Sequence, residues 1–100
     1  MADAYHLSIV TPDGEILDRE VKAIRAPGAM GQFGVLPGHA PLLSAIRPGI
    51  LEVKAEQYQA WFAIGDGLIE VNRNGVVVLA DAAIEASTED EAKTKLSEVV

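Results

Sequence analysis

Between residues 5 and 86 the chain carries no apolar run at helical spacing; it carries short apolar–polar alternations, broken by turn-forming residues roughly every 8 to 12 positions. Without helices to cover a sheet, strands can bury their apolar faces only against other strands. We therefore expect a mainly β protein, an antiparallel β-sandwich of about 8–10 short strands followed by one short C-terminal α-helix. Tyr5, Leu7 and Ile9 alternate with His6, Ser8 and Val10, and Pro12-Asp13-Gly14 supplies the fixed φ and the glycine of a tight reversal into a short strand over 15–17. Residues 21–26 are extended in composition, yet Val21 and Ile24 fall on opposite faces. That predicts a β-bulge or a strand buried on both sides, ended by Pro27-Gly28. Leu51, Val53 and Ala55 form one alternating set, and Tyr58, Ala60, Phe62 and Ile64 the next. Gly65-Asp66-Gly67 and Asn74-Gly75 then predict hairpin turns into 68–71 and 76–79.

The pattern changes once, near residue 87. Thr88 followed by Glu91 is a capping box, and Glu89, Asp90 and Glu91 sit where the positive end of a helix dipole favours acids. Glu89–Lys93 and Glu91–Lys95 have the spacing of i,i+4 ion pairs. A helix of about twelve residues is marginal alone, so it must dock, and Ala92, Leu96 and Val99 form the face to do so. The expected organisation is a β-sandwich over 1–86 and an amphipathic helix over 87–100.

Composition narrows the chemistry. With 49% hydrophobic and 23% charged residues, the chain can bury a core and is not a disordered segment. A net charge of −7 with Lys and Arg scattered singly repels phosphate backbones, which argues against a nucleic-acid partner. Cysteine is absent, which removes disulfides, thiol catalysis and cysteine-based metal sites. The N-terminus has no basic n-region followed by an apolar run, so no secretory signal is expected. The run at 76–80 is far short of the roughly 20 residues of a membrane span. Gly28, Gly31 and Gly34 lie between strands rather than opening a helix, which fits loop geometry rather than a dinucleotide fingerprint. His39 has no Ser, Asp or Glu at a recognised motif distance, and His6 sits in a strand, so neither a triad nor a metal site is indicated. Asp66 is explained by its turn. Trp61 and Phe62 are neighbours and point to opposite faces, one into the core. No catalytic, cofactor-binding or metal-ligating set emerges.

Residues 31–49 remain, with four glycines, three prolines and a histidine set among apolar residues, a backbone closely specified but poor in acid–base groups. Gly34-Val35-Leu36-Pro37-Gly38-His39-Ala40-Pro41-Leu42-Leu43 and Ala45-Ile46-Arg47-Pro48-Gly49 follow in close order. With Tyr5-His6-Leu7, Gly67-Leu68-Ile69-Glu70-Val71 and Val78-Leu79-Ala80-Asp81, they resemble the epsilon-subunit family of bacterial F-type ATP synthases, over about residues 5 to 96. The resemblance implies a rotor part of the central stalk, with no catalytic residue and no cofactor of its own. Such a part grips the gamma subunit, rests on the c-ring and sits peripherally at the cytoplasmic face of the inner membrane. It carries over His39, Ala40, Pro41 and Leu42 as the gamma-facing turn, and Met30, Gly31, Gln32 and Phe33 as the c-ring-facing loop. Gln32 stands where some relatives carry an acid.

The helix departs from that pattern. Relatives that bind ATP carry Asp-x-x-Arg-Ala where this chain has Asp90-Glu91-Ala92-Lys93-Thr94, and lysine does not reproduce arginine's planar fork, so nucleotide binding is not carried over. The family's second C-terminal helix, which reaches the catalytic alpha and beta subunits and inhibits ATP hydrolysis, is not expected here. Two other readings compete: a free-standing β-sandwich that binds a small ligand on Trp61 or Tyr58, and a small hydrolase using His39.

Overall fold

The computed structural model describes residues 3–100; Met1 and Ala2, at the start of the expected 1–86 unit and of the N-terminus read above, lie outside the described residues. The strands are β1 (Tyr5–Thr11), β2 (Gly14–Val21), β3 (Ala23–Gly28), β4 (Gly31–Val35), β5 (Leu42–Ile46), β6 (Gly49–Ala55), β7 (Tyr58–Ile64), β8 (Gly67–Asn72), β9 (Gly75–Ala80) and β10 (Ala83–Ala86). Helix α1 (Glu89–Lys95) runs into a 3-10 turn at Leu96–Glu98. The expected mainly β architecture with a short C-terminal helix is what forms.

The strands join edge to edge in the order β10-β7-β6-β3-β5-β8-β9-β1-β2, with β4 also on β3. One edge of β3 serves two partners: it pairs with β6 through Ala23, Ile24 and Arg25, then with β5 at Gly28 opposite Ile46. At that handover the sheet folds over, giving one layer from β10 to β3 and another from β5 to β2. The layers bury Leu7, Ile9, Leu51, Val53, Phe62, Ile64, Ile69 and Val78 between them. Each larger side chain of this kind contributes about 1.5–3 kcal/mol on leaving water. The alternations at 5–9, 51–55 and 58–64 thus mark the inner face as expected. β1 and β9 pair in parallel, a pairing that alternation cannot distinguish from an antiparallel one.

Three local expectations are corrected. Val21 and Ile24 are both buried because they lie on different strands: β2 ends at Val21, the chain bends at Lys22 and β3 starts at Ala23. The irregularity in register lies instead between β1 and β2, where Ile9 faces Leu17 and Val10 faces Glu15, leaving Ile16 as the extra residue. The short strand at 15–17 extends over the whole of β2. Gly65-Asp66-Gly67 is not a hairpin turn, because β7 pairs with β6 and β10 while β8 pairs with β5 and β9. It carries the chain across from one layer to the other. The return crossing lies beside it, with Gly65 N–H donating to the Ala82 carbonyl at 3.0 Å and Asp81 N–H to the Asp66 carbonyl at 2.9 Å. Arg73-Asn74, by contrast, closes the expected β8–β9 hairpin, with Asn74 N–H bonded to the Asn72 side chain at 2.7 Å.

The C-terminal helix docks on the outer face of the first layer, against β7, β10 and β6. It covers Ala63, which faces away from the core yet is fully buried, and it buries Ala92 and Val99 while Leu96 stays half-buried. The Thr88 hydroxyl caps the Glu91 N–H at 3.1 Å. The Glu91 carboxylate turns back to accept the Ser87 N–H at 2.8 Å. That return bond replaces the expected Glu91–Lys95 pair, and Glu89–Lys93 is not closed either: among the described residues Lys22 pairs with Glu56, and the His6 ring lies against the Asp18 and Glu20 carboxylates. The α-helix spans seven residues rather than about twelve, because its last turn tightens to 3-10.

Tyr58 closes the seam between the two ends of the folded sheet. The Arg19 guanidinium of β2 lies 4.1 Å over its ring, and its hydroxyl donates to the Glu85 carboxylate of β10 at 2.9 Å. Burial, followed by that hydrogen bond and the Glu85 charge, pushes the Tyr58 phenol up to about 12, with Arg19 pulling the other way. Burial also pushes the Tyr5 phenol up. A tyrosine whose pKa is raised on folding stabilises the native state fully below its unfolded value of 10.0, and that contribution is lost as pH rises through the folded value. We therefore expect stability to fall between about pH 10 and 12. A spectrophotometric titration checks this: native protein at about pH 10 should show little phenolate absorbance, and half-ionisation of either tyrosine there contradicts the geometry.

Candidate functional site

The segment between β4 and β5 is shaped by its prolines and glycine. Leu36-Pro37-Gly38-His39 is a type II turn: Pro37 fixes φ at its second position, Gly38 takes φ 83° at the third, and His39 N–H donates to the Leu36 carbonyl at 3.1 Å. The His39 Nδ1 lies 2.6 Å from the Ala40 carbonyl, which orients the ring and leaves Nε2 outward. His39, Ala40 and Pro41 are exposed, while Leu42 turns inward against the core and Leu43 is 69% exposed beside it. Between this turn and the β8–β9 hairpin lies an open groove of about 670 Å³, lined among others by His6, His39, Arg73 and Val76.

The second predicted contact, the 30–33 loop, is the tip of the β3–β4 hairpin. Gly28 and Gly31 face each other across Ala29-Met30, and Met30 is 99% exposed. Gln32 is exposed, but Phe33 packs partly into the core. Its ring lies over Gly28, where a Cβ would come within 2.7 Å of Phe33 Cε1, so this position admits no side chain. A rigid strand pair thus ends in an apolar tip with no charge.

A third feature was not drawn from the sequence. Pairing registers place Ala45, Leu68, Leu79 and Val10 in one row across β5, β8, β9 and β1, and Leu43, Glu70, Val77 and Ser8 in the next. Alternation with the buried Ile46, Ile69, Val78 and Ile9 turns both rows outward. Leu68 and Leu79 remain 47% and 49% exposed at the centre of this face. Glu15 and Asp18 extend the rows on β2, so the apolar band is bordered by acids. The signal was present in the sequence as Leu68-Ile69 and Val76-Val77-Val78-Leu79, apolar on both faces of their strands, and as the Leu42-Leu43 doublet.

Among the described residues, no cluster of three or more His, Asp or Glu is placed to hold a metal ion, and no helix is long and apolar enough to cross a membrane. His6 is engaged by Asp18 and Glu20 on the outer face, whereas His39 is held by backbone alone. What the arrangement offers is surface: a locked turn, an apolar tip and an apolar face.

Comparison with known proteins agrees with that character. A chain in the Euglena gracilis mitochondrial ATP synthase structure of OSCP, F1 and c-ring in rotational state 1 has 28% identity and a TM-score of 0.80, covering 98% of this chain and 64% of that one. A chain in the Tetrahymena thermophila mitochondrial ATP synthase central stalk and c-ring shares the fold, with 16% identity and a TM-score of 0.70 over 80% of this chain and 65% of that one. The present chain spans less than two-thirds of either. The β-sandwich domain of the ATP synthase delta/epsilon chain matches residues 4–86, from the start of β1 to the end of β10. The chain belongs to that family, the delta/epsilon β-sandwich of ATP synthase.

Proposed function

We propose that this protein is a non-catalytic rotor subunit of the central stalk of a proton-translocating F-type ATP synthase. It links the gamma subunit to the c-ring and passes ion-driven rotation toward ATP synthesis, seated peripherally at the cytoplasmic face of a bacterial inner membrane. The observation that carries this reading is the exposed apolar face centred on Leu68 and Leu79, a surface that costs solubility unless a protein covers it. The turn at 36–41 adjoins that face through Leu42 and Leu43, so His39, Ala40 and Pro41 extend one gamma-facing surface. Met30, Gly31 and Gln32 present the separate c-ring contact at a hairpin tip, with Phe33 beneath them as its anchor to the core. Torque transmission needs contacts that do not flex, and each surface is fixed by a turn or a paired hairpin. The small-ligand reading is weakened by Tyr58, whose ring is already covered by Arg19.

The absence of cysteine from the chain makes the test direct. Single-cysteine variants Met30→Cys, His39→Cys and Thr94→Cys, each carrying a short photo-cross-linker, are assembled into the ATP synthase. A linker at 30 should capture the c-ring and one at 39 the gamma subunit, while one at 94, exposed on the opposite face of α1, captures neither. Capture of the same subunit from all three positions, or of none from 30 and 39, contradicts the proposal.

A further inference from the structure

The outer face that carries Leu68 and Leu79 runs from the 36–41 turn, where Leu42 pairs with Val71, to the layer crossing, where Ile46 pairs with Gly67. At the crossing end those two leucines wall an open groove of about 340 Å³, together with Val10, Pro12 and Asp81. Thr11, buried beneath it, accepts the Asp13 N–H at 3.2 Å, so its hydroxyl belongs to the β1–β2 turn. Asp81 is the one charged residue of the lining. Its backbone is held by the Asp66 carbonyl, while its side chain is exposed and pairs with no cation among the described residues.

The surroundings are mostly of one sign. Glu15 lies opposite Val10, Asp13 follows Pro12, and Asp66 precedes Gly67. Arg47 is the cation at this end; by register it falls opposite Asp66, and it forms no ion pair among the described residues either. None of β1, β5, β8 and β9 contributes a lysine or arginine. A second copy docked face to face would therefore set acidic rims against each other. A different chain that covers Leu68 and Leu79 takes Asp81 out of water with them, and a carboxylate so covered requires a counter-charge. An apolar trough ending in a carboxylate suits a long cationic side chain, whose stem is apolar and whose head is charged.

We propose that this groove takes a lysine or arginine side chain of the gamma subunit, its stem along Leu79, Val10 and Pro12 and its head on the Asp81 carboxylate. The inference rests on the stalk reading and names the chemistry by which that face recognises its partner. Gamma is the occupant because the groove is walled by the same two leucines on which the gamma-facing surface is centred. The 30–33 hairpin stands at the same end, since Gly28 pairs with Ile46, so the c-ring is the alternative occupant. With the cationic head engaged at Asp81, beyond the end of β9, the centre of the face at Leu68 meets apolar atoms.

Titration of the purified cognate gamma subunit with variants of the full chain tests it. Asp81→Asn should weaken binding about tenfold at low salt with an unchanged melting temperature, and the loss should narrow as salt is raised. Asp81→Glu, which keeps the charge, should retain most of the affinity. Glu89→Gln, an equal change of charge on α1, should bind as the wild type does. In the assembled ATP synthase, Pro12→Cys carrying a short photo-cross-linker should capture gamma. Wild-type affinity for Asp81→Asn overturns the cation groove and leaves the stalk reading intact, as does an equal loss for Glu89→Gln, which would mean that net charge rather than a pair is felt. Capture of the c-ring or of a second copy from position 12 overturns the choice of occupant. Absence of any complex with the wild-type chain overturns both readings.

Discussion

Phe62→Ala should cost about 3–5 kcal/mol of folding stability, the largest loss expected from any single truncation in this chain. Phe62 is the largest of the fully buried side chains, and it lies on β7 between β6 and β10. It faces Leu51 across one strand pair and Glu85 across the other, so its ring fills the layer interface next to the Tyr58 seam. No helix can slide into the vacancy, because α1 is on the opposite face of β7 and the facing strands are fixed by their ladders. A domain of this size has a total stability of about 5–15 kcal/mol, so the variant is expected to fold marginally or not at all. Urea unfolding followed by circular dichroism measures the loss. A cost below about 1 kcal/mol would mean that the two layers are not packed around this ring.

The inner face was legible from the sequence because burial imposes a period of two, and Leu51-Val53 and Ala60-Phe62-Ile64 obey it. What composition could not supply was partnership. Gly65-Asp66-Gly67 has the residues of a hairpin turn, but which strands a turn joins depends on pairing at a distance, and here β7 was already paired on both edges. The same limit hid the parallel β1–β9 pair and the handover along β3. Val21 and Ile24 misled for a related reason: a change of layer and a bulge leave the same trace in a one-dimensional pattern. The helix start was legible in Thr88 and Glu91, since capping is local, whereas its ion pairs lost to a backbone donor on Ser87.

Of the proposed interaction surface, the turn and the hairpin tip are read from their unusual residues and the resemblance they carry. The Leu68–Leu79 face was overlooked because an apolar residue in a strand is ordinarily assigned to the core. Only the registers show that Ile69 and Val78 already fill that side, so Leu68 and Leu79 must face out. Phe33 and Leu42, assigned to contacts by position in a motif, turn inward, while their neighbours Gln32 and Leu43 face solvent. Motif position specifies a loop, and strand parity decides which of its residues a partner meets.

Leu68→Asp should reduce gamma binding by at least about 2 kcal/mol, roughly thirtyfold or more, while changing folding stability by less than about 1 kcal/mol. Leu68 lies between Ala45 and Leu79 at the centre of the outer face, where a partner would exclude water most completely. A carboxylate there would be desolvated without a counter-charge in the complex, yet stay hydrated in the free chain because the site is half-exposed. Asp at this position also joins the acidic border formed by Glu70, Glu15 and Asp18, which adds like-charge repulsion to the cost. Thr94→Asp, on the solvent side of α1, serves as the control of equal charge. The deciding measurement is a titration of the cognate gamma subunit with the wild-type chain, Leu68→Asp and Thr94→Asp, under one salt condition. The expected result is a one-to-one complex for the wild type and Thr94→Asp and a large loss for Leu68→Asp at unchanged melting temperature. Equal affinity for all three, or no binding by the wild type, would contradict a stalk subunit that docks through this face.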